Sequence, residues 1–395
     1  MRPSRMPGMP ATFTSERFVG REDAFARLAS VLQSASAGDS GALLIDGTAG
    51  IGTTRFIDEA IRRVDALEEP MTVLRGCAFG ASTDAPYAPL VRAMRPALAA
   101  LQDADLAATM GSATDELLRL LPELAVRVGA HDDDGRRTLT TVPERRQARL
   151  LEGILGVLGR LGERRPVLLV VEDLHRADAG TRTLLTFLAR IARSQRVAIV
   201  GTYQADAIRR DDPWAIDLRS LDGAPRQPER LTLGPLGRDD LARLIESIEG
   251  ERPSASVLVV VVERSSGRPL VAEELLAARR ELPTVSLTST FEDLVLARMA
   301  VRSTETRRVL RLLAPAGRPL SRIWKSPRSR SRTSRPSRSC TVTYSATVRA
   351  SARNVGACCG GLAAVSAPSA ASVAMSRTGT SQRILAVAVP IRSAA

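Results

Sequence analysis

Over the first 320 residues the apolar positions switch repeatedly between a period of two and a period near 3.6, and these switches predict the elements. Residues 42–46 (ALLID) form a short apolar run that enters a glycine-rich turn. Residues 54–67 then place Phe56, Ile57, Ile61 and Val64 on one helical face. A second strand is expected at 71–77 (MTVLRGC), alanine-rich helical segments over 89–124, and an acidic polar loop at 131–137. A helix over 144–161 carries its leucines and isoleucine on one side and ends in a turn at 162–166. The run 167–171 (VLLVV) is apolar at every residue, as suits a strand buried on both faces of a parallel sheet. A helix over 181–192 and a strand over 197–203 complete the third unit. Strands alternating with helices predict an open α/β parallel sheet with flanking helices, because parallel neighbours need long crossovers.

After 231–233 the strand pattern gives way to helical spacing at 238–249, 255–264, 269–280, 290–300 and 303–313. The expected organisation is therefore a flexible N-terminus (1–16), an α/β domain (17–230), a smaller helical lid domain (231–320) and a tail (321–395). The tail has no apolar period, contains 15 serines, and is expected to be disordered.

Charge sharpens that division. The net charge of +13 would ordinarily direct attention to nucleic acid or an anionic membrane surface. Twelve basic residues and no acidic ones fall in 321–395, however, which leaves 44 basic and 43 acidic groups in residues 1–320. The folded part is thus close to neutral. The chain has a single lysine, Lys325, so a role that normally needs lysine must be met otherwise. The cysteines, Cys77, Cys340, Cys358 and Cys359, form no C-x-x-C pair, and neither a zinc site nor a disulfide framework is expected. No apolar stretch follows the basic N-terminus, and a cytoplasmic location is expected.

The most specific motif is Gly47-Thr48-Ala49-Gly50-Ile51-Gly52-Thr53-Thr54, set between the first strand and its helix. It follows the phosphate-loop pattern G-x-x-x-x-G-K-[ST] at every fixed position except the lysine, which is Thr53. Glycines let the backbone wrap phosphate oxygens, so that N–H groups and the positive end of the helix face the anion. Gly47, Gly50, Ile51, Gly52, Thr53 and Thr54 are the expected nucleotide contacts, and the Thr54 hydroxyl would meet Mg²⁺. Arg55 could partly stand in for the absent lysine charge, but its side chain starts one residue too late in the helix to take the same direction. ATP or ADP with Mg²⁺ is the expected ligand, with weak hydrolysis. At the end of the buried strand, Glu172 and Asp173 sit where open α/β sheets bind ligands. One would serve the metal and the other orient the attacking water. Glu172 is placed at the metal and Asp173 at the water, with the reverse arrangement open.

These segments, with FVGRE at 18–22, APYAPL at 85–90, VVEDLHRAD at 170–178, GTYQ at 201–204 and GRPLVAEELL at 267–276, resemble the AAA-type signal-transduction (STAND) ATPases. More narrowly they resemble the large ATP-binding regulators of the LuxR family, over residues 17–320. The resemblance implies a nucleotide-controlled switch, with self-association when nucleotide is bound and DNA binding by a C-terminal helix-turn-helix. It places Val19, Gly20 and Arg21 near the adenine and Pro269 of the lid beside the base. Gln204 stands where the family usually has an arginine that senses the terminal phosphate, and Arg176 replaces a tryptophan. A chain of this kind is expected to end before the helix-turn-helix, its tail reading either as a frameshifted segment or as an arginine-serine stretch that binds nucleic acid by counterion release.

Overall fold

The computed structural model describes residues 14–15, 17–80, 85–129, 143–191, 195–222, 227–281 and 291–313, together with two short strands further on. The expected loop at 131–137 and nearly all of the expected N-terminal and C-terminal tails lie outside the described residues. The chain divides into two compact units, Phe13–Leu276 and a second comprising Met1–Thr12 with Ala277–Ala395.

In the larger unit the elements run α1 (Glu22–Ser36), β1 (Gly41–Asp46), α2 (Thr53–Asp65), β2 (Thr72–Cys77), α3 (Ala88–Ala100), α4 (Asp103–Met110) and α5 (Thr114–Leu120). They continue with α6 (Pro143–Arg164), β3 (Val167–Glu172), α7 (Ala179–Ile191), β4 (Val197–Tyr203), α8 (Pro213–Asp222) and β5 (Glu229–Thr232). Then come α9 (Arg238–Glu249), α10 (Ala255–Ser265) and α11 (Pro269–Glu281), the last of which runs across the division. The smaller unit holds α12 (Phe291–Ala300) and α13 (Thr304–Leu313), and an antiparallel pair, β6 (Val373–Met375) and β7 (Ile384–Ala386). Within that unit Arg298 and Arg302 both pair with Glu281.

Five strands form one parallel sheet in the order β2-β3-β4-β1-β5. Every residue of β3 and of β4 is buried, as the unbroken apolar runs require. The pleat sorts alternate residues to opposite faces. Leu43, Ile45, Leu168, Val170, Ala198 and Val200 enter a core shared with α1 and α2, including Phe25, Phe56 and Ile57. Leu44, Leu169, Val171 and Ile199 enter a second core with Leu90, Leu106, Leu117, Ile154, Leu184 and Trp214 from α3 to α8. A third, smaller cluster joins α9, α10 and α11 through Leu241, Leu244, Ile245, Val261 and Ala272.

Two helices have no counterpart in the sequence expectations. α1 buries Ala24, Phe25, Leu28, Val31 and Ala35, a helical stripe that opens on the acidic pair Glu22 and Asp23. α8 starts at Pro213, a residue suited to the first turn, with Asp212 Oδ1 accepting from the Trp214 N–H at 2.8 Å. The segment 89–124 divides into three helices, because Leu101 and Gln102 take extended backbone and Gly111, at φ 55° and ψ −140°, ends the second.

β2 lies at the sheet edge and carries α3 at very close range. A β-carbon on Gly76 would fall 1.9 Å from the Pro89 carbonyl oxygen, which is backbone and cannot step aside. Gly76→Ala is expected to cost about 2 kcal/mol by overpacking. Denaturant unfolding checks this, and a variant as stable as its parent would show that α3 does not rest on β2.

Candidate nucleotide-binding site

β1 ends at Asp46 between two strands that fix where the chain turns. The Asp46 carbonyl accepts from the Leu233 N–H at 2.8 Å, and its Oδ1 accepts from the Ala205 N–H at 2.8 Å. Gly47 N–H donates to the Tyr203 carbonyl at 3.2 Å, and Ile51 N–H closes the turn onto Thr48 at 3.1 Å. Gly50 and Gly52 have φ of +80° and +96°, a region costly for residues with a β-carbon. The Ile51 side chain is buried beneath the turn. α2 then begins at Thr53, so its first N–H groups have no acceptor within the helix and lie at its positive end. Together these features form an anion cradle.

A β-carbon on Gly47 would lie 2.7 Å from Cγ2 of both Ile51 and Thr53, which directs the Thr53 methyl back toward the start of the turn. Thr54 is exposed. Arg55 turns elsewhere: its Nη1 donates to Glu273 Oε1 of α11 at 2.9 Å, and its Nη2 donates to the Ser15 and Arg17 carbonyls.

Arg21 reaches the turn from the other side. Its Nη2 donates to the Ile51 carbonyl at 2.5 Å and to the Gly234 carbonyl at 3.4 Å. Burial lowers its pKa, an effect that the Asp240 carboxylate opposes. Its Nη1 is buried with no hydrogen-bond partner among the described residues, a donor beside the turn that suits a polar ligand. Gly20, at φ +73°, lets the Asp240 carboxylate approach to where a β-carbon would stand 2.7 Å from Oδ2, and Val19 is half-buried. At the start of α11, Leu270 N–H donates to the Gly50 carbonyl at 3.2 Å, and the Pro269 ring lies 4.0 Å from a β-carbon position on Gly52.

The acidic strand end holds two carboxylates in different settings. Glu172 is 4% exposed, and Arg75 of β2 donates to its Oε1 through Nε at 2.7 Å. Arg75 Nη1 also binds Asp58 of α2 at 2.5 Å. Burial raises the pKa of Glu172, and Arg75 counters this only in part. Asp173 is half-buried and holds left-handed backbone, φ 59° and ψ 43°, as the residue capping a 3-10 turn. The Thr202 hydroxyl of β4 accepts its N–H at 3.1 Å, and Cys77 Sγ lies 3.7 Å from its Oδ2. Gln204 follows β4 directly, next to the Ala205 N–H that binds Asp46.

Hydroxyl and carboxylate oxygens are the donors a hard cation such as Mg²⁺ takes. Among the described residues no three His, Cys, Asp or Glu side chains gather as a metal cluster, so a cation here would depend on nucleotide phosphates and water for most of its shell.

Sequence reasoning did not single out Arg75, Asp58, Thr202 or Glu273. Arg75 left one visible signal, a charge inside an otherwise apolar strand, two residues before Cys77, the register partner of Glu172. The others depend on pairings between distant segments.

Residues 17–200 match the AAA ATPase domain family. The parallel sheet with flanking helices is of the P-loop NTPase type. No curated protein matches the chain. Among solved structures the chain is similar to a signal transduction ATPase with numerous domains and a tetratricopeptide repeat sensor from Pyrococcus horikoshii. The identity is 15% and the TM-score 0.42, over 78% of this chain and 36% of that one, so this chain spans about a third of that protein's length. It is also similar to a Walker-type ATPase of Pyrococcus abyssi (14% identity, TM-score 0.42, 80% and 82% covered). A third is the RuvB Holliday junction branch migration motor of Thermotoga maritima (17% identity, TM-score 0.35, 76% and 79% covered). No helix among the described residues is long and apolar enough to cross a membrane.

Proposed function

We propose that this chain is an ATP- and ADP-binding switch module of the AAA/STAND type, from a LuxR-like transcriptional regulator, with a degenerate phosphate loop and weak hydrolysis. The observation that carries the nucleotide reading is the turn Gly47–Gly52, closed over the start of α2 at the carboxyl end of β1. Gly47, Gly50, Gly52 and the N–H groups of Thr53 and Thr54 would hold the phosphates. Arg21, with its orphaned Nη1, and Pro269 would border the nucleotide on either side. Mg²⁺, held by Thr54 with Glu172 or Asp173, would neutralise phosphate charge when bound. The bond from Arg75 to Glu172 Oε1 favours Asp173 as the carboxylate nearer the ion, with Glu172 behind it.

Weak hydrolysis follows from residue chemistry. Thr53 and Gln204 each offer hydrogen bonds and no charge, whereas a transferring phosphoryl group needs positive charge around it. The lid of 231–320, the nucleotide-dependent self-association and the regulator role rest on the resemblance of the motifs.

Titrating the full chain with a fluorescent ATP analogue and Mg²⁺ tests the reading. Saturable binding below millimolar nucleotide is expected, and its absence overturns the proposal.

A further inference from the structure

The start of α11 rests on the glycine turn through the Leu270 N–H and the Pro269 ring. One turn further along α11, Glu273 meets Arg55, the residue after Thr54 in α2. This second contact is a network. Glu273 Oε1 accepts from Arg55 Nη1 at 2.9 Å and from the Ser15 N–H at 3.3 Å. The other arm of Arg55 donates to the carbonyls of Ser15 and Arg17, and the Ser247 hydroxyl of α9 donates to Ser15 Oγ. Four segments therefore converge on one ion pair, whose side chains are 29% and 13% exposed. Ser15 itself is buried at 3% exposure.

That setting decides what Arg55 can do. Drawing it onto a phosphate would leave Glu273 buried without its cation and two backbone carbonyls without their donor. Arg55 is thus placed as a strut behind the phosphate loop, engaged by Glu273 and two backbone carbonyls.

We propose that Glu273 is a positioning residue which, through Arg55, clasps the lid helix α11 to the phosphate-loop helix α2 and thereby slows nucleotide release. The proposal rests on the nucleotide reading above. It also makes release depend on pH. Burial pushes the Glu273 carboxyl up to about 7, Arg55 and the Ser15 N–H pull it back only in part, and the neighbouring Glu274 adds to the rise. As pH falls through 7 the carboxyl takes a proton and the ion pair weakens. An unfolded carboxyl holds that proton only near its ordinary value of 4.5. Between about 7 and 4.5 acidification therefore favours the fold at this group while it loosens the clasp.

The test uses the full chain loaded with fluorescent ADP and Mg²⁺ and chased with unlabelled ADP between pH 5.5 and 8.5. Wild-type release is expected to accelerate several-fold as pH drops through about 7. Glu273→Gln is expected to release about tenfold faster than wild type at pH 8, with no pH step. Release within twofold of wild type and a retained step would overturn the proposal. Slower release would also overturn it, by showing that Arg55 turns to the phosphates once freed. Where Glu273→Gln does not fold, Arg55→Gln removes the charge of the pair from its more exposed side and should also accelerate release.

A second readout needs no nucleotide. Amide hydrogen exchange at Ser15 and Arg17, compared between wild type and variant at one pH, should lose protection in Glu273→Gln, and unchanged protection overturns the clasp. Should the wild type fail to bind the analogue, the nucleotide reading fails, while this exchange result still decides whether the clasp exists.

Discussion

Thr53→Lys is expected to tighten ATP binding by about ten- to a hundredfold. Thr53 is the first residue of α2, and its methyl is already directed toward Gly47, so a longer side chain from this position starts out toward the mouth of the turn. A lysine ammonium there would add one charge-assisted hydrogen bond to a phosphate, worth about 1.5–3 kcal/mol. Each 1.4 kcal/mol is about a tenfold change in affinity. In the nucleotide-free protein the same ammonium meets the positive end of α2 and costs about 0.3–1 kcal/mol. The substitution should therefore destabilise the free protein slightly while it strengthens the complex. Paired titrations of wild type and variant with the fluorescent ATP analogue measure the ratio. Equal affinities would mean that Thr53 does not face a phosphate and that the turn is only a connection between strand and helix.

Arg75→Ala is expected to remove about 3 kcal/mol of stability. Glu172 has a side chain 5% exposed, and its Oε1 depends on Arg75 Nε at 2.7 Å. Breaking a buried pair from one side costs about 3–5 kcal/mol, because the remaining charge stays buried without compensation. Arg75 is 34% exposed, so solvent screening places the expected loss at the low end of that range. Its second bond, to the 54% exposed Asp58, adds little. The sign of the pH dependence follows from burial, which already raises the pKa of Glu172 with Arg75 in place. Without Arg75 the pKa rises further, the folded state holds a proton that the unfolded chain has released, and stability falls as pH increases through that window. Denaturant unfolding of Arg75→Ala at pH 6 and pH 8 should give the larger loss at pH 8. Adding Glu172→Gln should recover most of it, and no recovery would place the origin of the loss outside this pair.

Much of the architecture could be read along the chain, for a reason visible in single segments. VLLVV at 167–171 and VAIV at 197–200 are apolar at consecutive positions, and both became strands with every residue buried. The glycine turn was equally legible, since left-handed backbone at Gly50 and Gly52 is a local demand met by local residues. α1 was less legible because two of its five buried residues are alanine, and α8 because, among its residues of described burial, only Trp214, Leu218 and Leu221 are buried.

Within the candidate site, the sequence located the residues whose role belongs to their own segment and passed over those whose role comes from a neighbour. Glu172 and Asp173 were visible at a strand end, yet their different settings come from Arg75, paired with Glu172 across the β2–β3 boundary, and from Thr202 on β4. Arg55 was visible beside the turn, but its direction is set by Glu273, 218 positions away.

The sequence by itself determined the alternation of strands and helices, the phosphate-loop spacing with threonine in place of lysine, and a near-neutral body distinct from a strongly basic tail. Each follows from the order of residues within one short segment. Only the tertiary structure decided the strand order β2-β3-β4-β1-β5, the pairing of Arg75 with Glu172, and the engagement of Arg55 by Glu273. The physical reason is range: periodicity and turn chemistry act over a few residues, whereas a charge is directed by whatever counter-charge shares its low-dielectric surroundings, however distant along the chain.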